Sequence, residues 1–228
     1  MNEAVFRRIG KLLLKHAAHN AITDRNRHLQ KPECGKFDSA DVNRILDKLW
    51  QNYHELAREI PDEPTIGAQL NVRAAGLGLA FYRTLLGEGI DKDYAKVLIN
   101  DTLWHPYKAF AFLPRLTARL ISRDVRKQIR ICVRMFLLFP FSEPGYRFEI
   151  VPDDDENNVI AIKWFRCPII DFLRKHHAED LCLACFCNLD FALMEYWGGQ
   201  FERPCVQAVE GAEYCHMRFN VIPKSNCA

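Results

Sequence analysis

The sequence predicts an α+β fold in which a helical N-terminal half precedes an antiparallel sheet of about four strands covered by helices, in the order ββααββ. Three observations carry that expectation. Apolar residues recur at helical spacing through the first two-thirds of the chain. Beyond Pro144 short runs rich in β-branched and aromatic residues take over. Two of those runs precede, and two follow, a pair of helix-like segments.

The N-terminal stretch from Met1 to Ala21 carries Val5, Ile9, Leu12 and Leu13 at helical spacing, with Arg7, Arg8, Lys11 and Lys15 spread among them. That pattern describes an amphipathic helix, not the charged cap and apolar block of an export signal. Ser39 is the expected N-cap of a helix that gathers Val42, Ile45, Leu46, Leu49, Trp50, Tyr53 and Leu56 on one side. Pro61 and Pro64 mark a loop, and the next helix, with Leu70, Leu77, Phe81 and Leu85, stops near Gly87 and Gly89. Asp91 opens another helix, which Pro106 and Pro114 are expected to bend or break after Trp104. Asp124 caps the last helix of this half, ending before Pro140.

Residues 146 to 151 and 159 to 165 read as a hairpin around the acidic turn 153 to 158, a solvated tip that lacks the Gly and distal Glu of a calcium loop. A short helix over 169 to 175 and a longer one over 178 to 196 follow, the second ending at Gly198-Gly199. Strands at 201 to 208 and 214 to 222 bracket a turn at Glu210-Gly211. The chain thus divides into a helical region, 1–140, and an α+β Cys-rich region, 141–228, expected to form one continuous globular unit.

A formal charge of +2 over 228 residues implies neither a nucleic-acid nor an anionic-membrane partner. The helically spaced Arg123, Arg126, Lys127, Arg130 and Arg134 read as a solvated face. No apolar run approaches the roughly 20 residues that span a bilayer. The expected compartment is therefore cytoplasmic, where the nine Cys serve as thiols, ligands or nucleophiles instead of disulfides.

Seven of those nine Cys lie beyond residue 160, which focuses the chemistry there. Cys187 and Asp190 are three apart on one helix, and a carboxylate beside a thiol can take or give its proton. On the last strand Cys215, Met217, Phe219 and Val221 alternate away from His216, Arg218 and Asn220, which turns Cys215 to the core face. For any single Cys, burial as a small hydrophobe is the simpler reading. Asp190 shifts the balance, because a buried carboxyl needs a partner. A metal reading competes: Cys182 and Cys185 form a CxxC pair that Cys187 and Cys215, or His216, could complete around zinc. Against it, the pair lies inside an apolar helical run with no second CxxC. Zinc is the one cofactor these residues suggest, without establishing it, and a non-catalytic thiol or zinc-binding sensor is the alternative.

Cys167-Pro168, then Cys187-Asn-Leu-Asp190, then Arg203, then the run Gly211 to Phe219 with Cys215 and His216, resemble the C-terminal signature of the L-2-amino-thiazoline-4-carboxylic acid hydrolase family. The Tyr82 to Gly87 stretch is also similar to longer members. The resemblance implies hydrolytic opening of a small cyclic amidine at a C–N or C–S bond. It implies Cys187 or Cys215 as nucleophile, Asp190 as acid–base group, and Arg203 as anchor for a substrate carboxylate, with Cys167 and His216 completing the binding set. The two thiols and one Asp are similar, too, to the metal–carbon cleaving set of alkylmercury lyase.

Overall fold

The computed structural model describes residues 3–28, 37–152, 156–209 and 211–222. Five helices come first: α1 (Glu3–His28), α2 (Ser39–Leu56), α3 (Ile66–Gly87), α4 (Lys92–Ile121) and α5 (Val125–Leu138). Strands β1 (Arg147–Val151) and β2 (Asn158–Arg166) follow, then α6 (Pro168–Lys175). A second helical run comprises α7 (Glu179–Cys182), a π-turn (Leu183–Cys187) and α8 (Leu189–Trp197). Strands β3 (Gly199–Cys205) and β4 (Cys215–Val221) complete one antiparallel sheet of order β1-β2-β4-β3. The α+β class and the four-stranded antiparallel sheet are as the sequence predicts. Asp153, Asp154 and Asp155 of the acidic turn, and Glu210 of the later one, lie outside the described residues. Among the described residues, no helix is long and apolar enough to cross a membrane.

Several local expectations are corrected. Asp38, not Ser39, caps α2: its carboxylate accepts the N–H groups of Ala40 and Asp41 at 2.8 and 2.9 Å, and Asp41 accepts the Asp38 N–H in return. That reciprocal box satisfies more orphan donors than the single hydroxyl of Ser39 could. On α1, Phe6, Leu14, Ala18 and Ile22 face the core, whereas Val5, Ile9 and Leu12 are exposed. Most consequentially, α4 runs unbroken through Pro106 and Pro114. Packing against α1, α3, α5 and the π-turn outweighs the lost N–H groups. The indole N–H of Trp197 donates to the Ala111 carbonyl in the turn before Pro114. Asp91 and Asp124 cap α4 and α5 as their side chains predict.

Two apolar cores result. One joins α1, α2, α3 and α4 to α6 and α7; the other joins the sheet to α5 and α8. Trp104, Tyr107, Cys167, Cys187 and Ala208 pack against both, so the seam between the cores carries two of the thiols. A second tie crosses the seam. The Arg166 guanidinium holds both carboxylate oxygens of Glu63 at 2.8 and 3.0 Å and also donates to the Gly145 carbonyl. The Glu63 side chain is only 4% exposed, so removing that partner leaves a shielded carboxylate without its ion pair. Arg166→Met is expected to lower the unfolding free energy by about 2–4 kcal/mol in a urea titration. A loss below about 0.5 kcal/mol, the size of an ordinary surface change, would contradict this role.

Candidate active site

The site begins with a helix that gains one residue in a single turn. In a regular α-helix, residues five apart point about 140° away from each other. Between Leu183 and Cys187 the ladder widens instead, and the Asn188 N–H reaches the Leu183 carbonyl at 3.1 Å. The insertion brings the sulfurs of Cys182 and Cys187 to 3.7 Å. It also parts the CxxC pair, because Cys185 turns its thiol to the Lys96 carbonyl of α4, at 3.3 Å. Neighbouring side chains satisfy the loosened backbone: Asn100 donates to the Ala184 carbonyl at 3.0 Å, and Arg203 to the Cys187 carbonyl at 2.7 Å. Phe186 packs against α3 at Gly78, where a Cβ would stand 2.7 Å from the ring. Such single-turn π insertions concentrate at functional sites.

The widened helix forms one wall of a cavity of about 380 Å³ between the helical layer and the sheet. Cys167, Cys182, Cys187, Asp190 and Cys215 all line it. Strand alternation brings Cys215, Met217 and Phe219 to this face, where they pair with Trp164, Ile162 and Ile160 of β2. From α4, the Tyr107 hydroxyl donates to Asp190 Oδ1 at 3.3 Å. From α3, Asn71 donates to the Tyr146 hydroxyl at 2.7 Å. The remaining walls are almost wholly aliphatic and aromatic.

Burial sets the protonation states. It pushes the Asp190 carboxyl up to about 7, against the opposing pull of the Arg203 charge and the Tyr107 hydrogen bond. It pushes the Cys215 thiol up to about 12 and the Cys167 thiol higher still. Cys182 is raised first by its contact with Cys187 and then by burial, so it keeps its proton and can donate it towards the Cys187 sulfur. Burial likewise holds Tyr107 as a hydroxyl, fit to donate. Asp190 is therefore the group of this set that can exchange a proton near neutrality.

Of the residues picked out from the sequence, Cys187, Asp190, Cys215 and Cys167 come together. Arg203 and His216 do not line the cavity. Arg203 binds the Cys187 carbonyl and Asn188 Oδ1 and lies over the Phe191 ring, so it braces the π-turn. His216 pairs with Lys163 on β2 and alternates to the other face of the sheet. The four-thiol zinc set is split by the outward turn of Cys185, and among the described residues no three His, Cys, Asp or Glu side chains are grouped to hold a metal. Tyr107 and the partnership of Cys182 with Cys187 were not anticipated. Tyr107 lies one residue beyond a proline read as a helix breaker, and a π insertion leaves the apolar helical pattern unchanged.

The family model for L-2-amino-thiazoline-4-carboxylic acid hydrolase matches residues 71–219, more than half of the chain, from α3 to β4. No curated protein and no solved structure matches the chain.

The raised Asp190 carboxyl should be visible in stability. An unfolded aspartate titrates near about 3.9, so between about pH 4 and pH 7 the native protein holds a proton that the unfolded chain has lost. Stability from this group is then full below about pH 4 and declines as pH rises towards 7. Thermal unfolding should show the wild-type Tm falling relative to Asp190→Asn across that window. Parallel curves for the two proteins would refute the shift.

Proposed function

The chain belongs to the L-2-amino-thiazoline-4-carboxylic acid hydrolase family, and we propose that its cavity hydrolyses a small cyclic amidine, or a related ring, at a C–N or C–S bond through Cys187, Asp190 and Cys215. The observation that carries this reading is a half-buried carboxyl, held near neutrality beside Tyr107, on the wall of a cavity shared with Cys187. Cys187 is the nucleophile in this reading. It stands one helical turn from Asp190, the group that can take its proton, and its sulfur meets that of Cys182 at 3.7 Å.

For a 2-amino-thiazoline the chemistry balances in two steps. The Cys187 sulfur attacks C2, the bond from C2 to the ring sulfur breaks, and Asp190 relays the Cys187 proton to the departing sulfur. The product of this step is an isothiourea bonded to Cys187. Water then adds to the same carbon, the Cys187 sulfur leaves with one proton through Asp190, and the other proton remains on nitrogen. The net change is one water added and the ring opened to a thiol-bearing urea. Tyr107 orients the Asp190 carboxyl, and Cys215 offers a neutral S–H donor from the opposite wall.

Cys187→Ser and Asp190→Asn are each expected to lower kcat/KM for ring opening at least about 100-fold, the usual worth of a positioned acid–base group. Circular dichroism should stay native. Cys185→Ser, whose sulfur faces α4, should retain near wild-type turnover. Full activity in either of the first two variants would overturn the assignment.

A further inference from the structure

The cavity also says what kind of ring it can accept. Among the described residues that line it there is no Lys, Arg or His; the ionisable groups are Asp190, the thiols and the two tyrosines. Four cations of the surrounding elements have partners of their own. Arg203 is committed to the Cys187 carbonyl and Asn188, and Arg166 to Glu63 and the Gly145 carbonyl. Arg115 lies 4.0 Å from the centre of the Tyr196 ring, with Lys108 at 5.5 Å from the same ring. An ionised carboxylate on the substrate would therefore enter an apolar space beside the carboxyl of Asp190, with the nearby Arg203 charge already held by the Cys187 carbonyl and Asn188.

The opposite arrangement suits the walls. The amino group of a cyclic amidine can donate to Asp190, the one carboxyl among the described residues that line the cavity, and the ring imino nitrogen can accept the Asp190 proton, which makes a two-point pair. An uncharged hydrocarbon or aromatic substituent can then fill the space bounded by Leu103, Phe136, Ile162, Trp164 and Phe219. A volume of about 380 Å³ leaves room for both parts, being at the small end of ligand sites. Resting on the proposed ring-opening reaction, we propose that this chain acts on apolar-substituted cyclic amidines lacking a carboxylate, and discriminates against the 4-carboxylate.

Three probes test this on the intact wild-type chain: 2-amino-thiazoline-4-carboxylate, its 4-isopropyl analogue of similar size, and the 4-phenyl analogue. Trp164 and Trp197 line the cavity, so quenching of intrinsic fluorescence on rapid mixing reports binding. The isopropyl and phenyl compounds are expected to bind at least about tenfold more tightly than the carboxylate. Equal or tighter binding of the carboxylate overturns the proposal, as does failure of both uncharged-substituent compounds to bind. Release of a new thiol, measured in parallel, tests the reaction separately. Preferential binding without thiol release sustains the ligand class and removes the hydrolysis, whereas faster release from the carboxylate sustains the hydrolysis and removes the ligand class.

Discussion

The site depends on one backbone insertion, the π-turn from Leu183 to Cys187. Without it, Cys182 would share a face with Cys185, and its sulfur would point about 140° away from that of Cys187. With it, Cys182 and Cys187 meet at 3.7 Å, Cys185 is sent into the contact with α4, and Asp190 falls in the first turn of α8, on the same cavity wall. A widened turn leaves backbone groups poorly paired, so it persists only where neighbours fix it. Asn100, Arg203 and the close approach of Phe186 to Gly78 supply that support. Arg203 thus acts on the site through backbone geometry and through its charge near Asp190.

The cavity lies where two apolar cores meet, and its electrostatic character follows from that position. An interior bounded by aliphatic and aromatic side chains raises the proton affinity of every acid in it. For Cys167, Cys182 and Cys215 the result is neutrality at physiological pH; for Asp190 it is a carboxyl poised near 7. One environment therefore creates both the proton-exchanging group and the preference for uncharged substituents. Tyr107 connects the layers, since it comes from the long helix α4 and bonds the carboxyl on α8.

Much of this was legible in the residues. The alternation along β4 correctly turned Cys215 to the core, because a buried face enforces period two. The three-residue spacing of Cys187 and Asp190 survived because the widened turn ends just before Asp190. Asp91 and Asp124 announced their helices through cap chemistry that is local by nature. What was not legible depended on distant partners. The continuity of α4 through Pro106 and Pro114 is decided by packing against α1, α3, α5 and the π-turn, so Tyr107 stayed hidden. The cap at Asp38 is a local exception: its carboxylate accepts two N–H groups and Asp41 returns the bond, which displaces the cap expected at Ser39. The CxxC spacing suggested that Cys182 and Cys185 act together, and the π-turn paired Cys182 with Cys187 instead.

That exchange of partners is directly measurable. A monosubstituted arsenical such as phenylarsine oxide bridges two thiols only when their sulfurs are close, and peptide mapping by mass spectrometry identifies the bridged pair. The expected adduct joins Cys182 to Cys187 and is lost in either Ser variant, while Cys185→Ser leaves it intact. A bridge between Cys182 and Cys185, the pair that an uninterrupted α-helix would present, would contradict the π-turn and the site built on it.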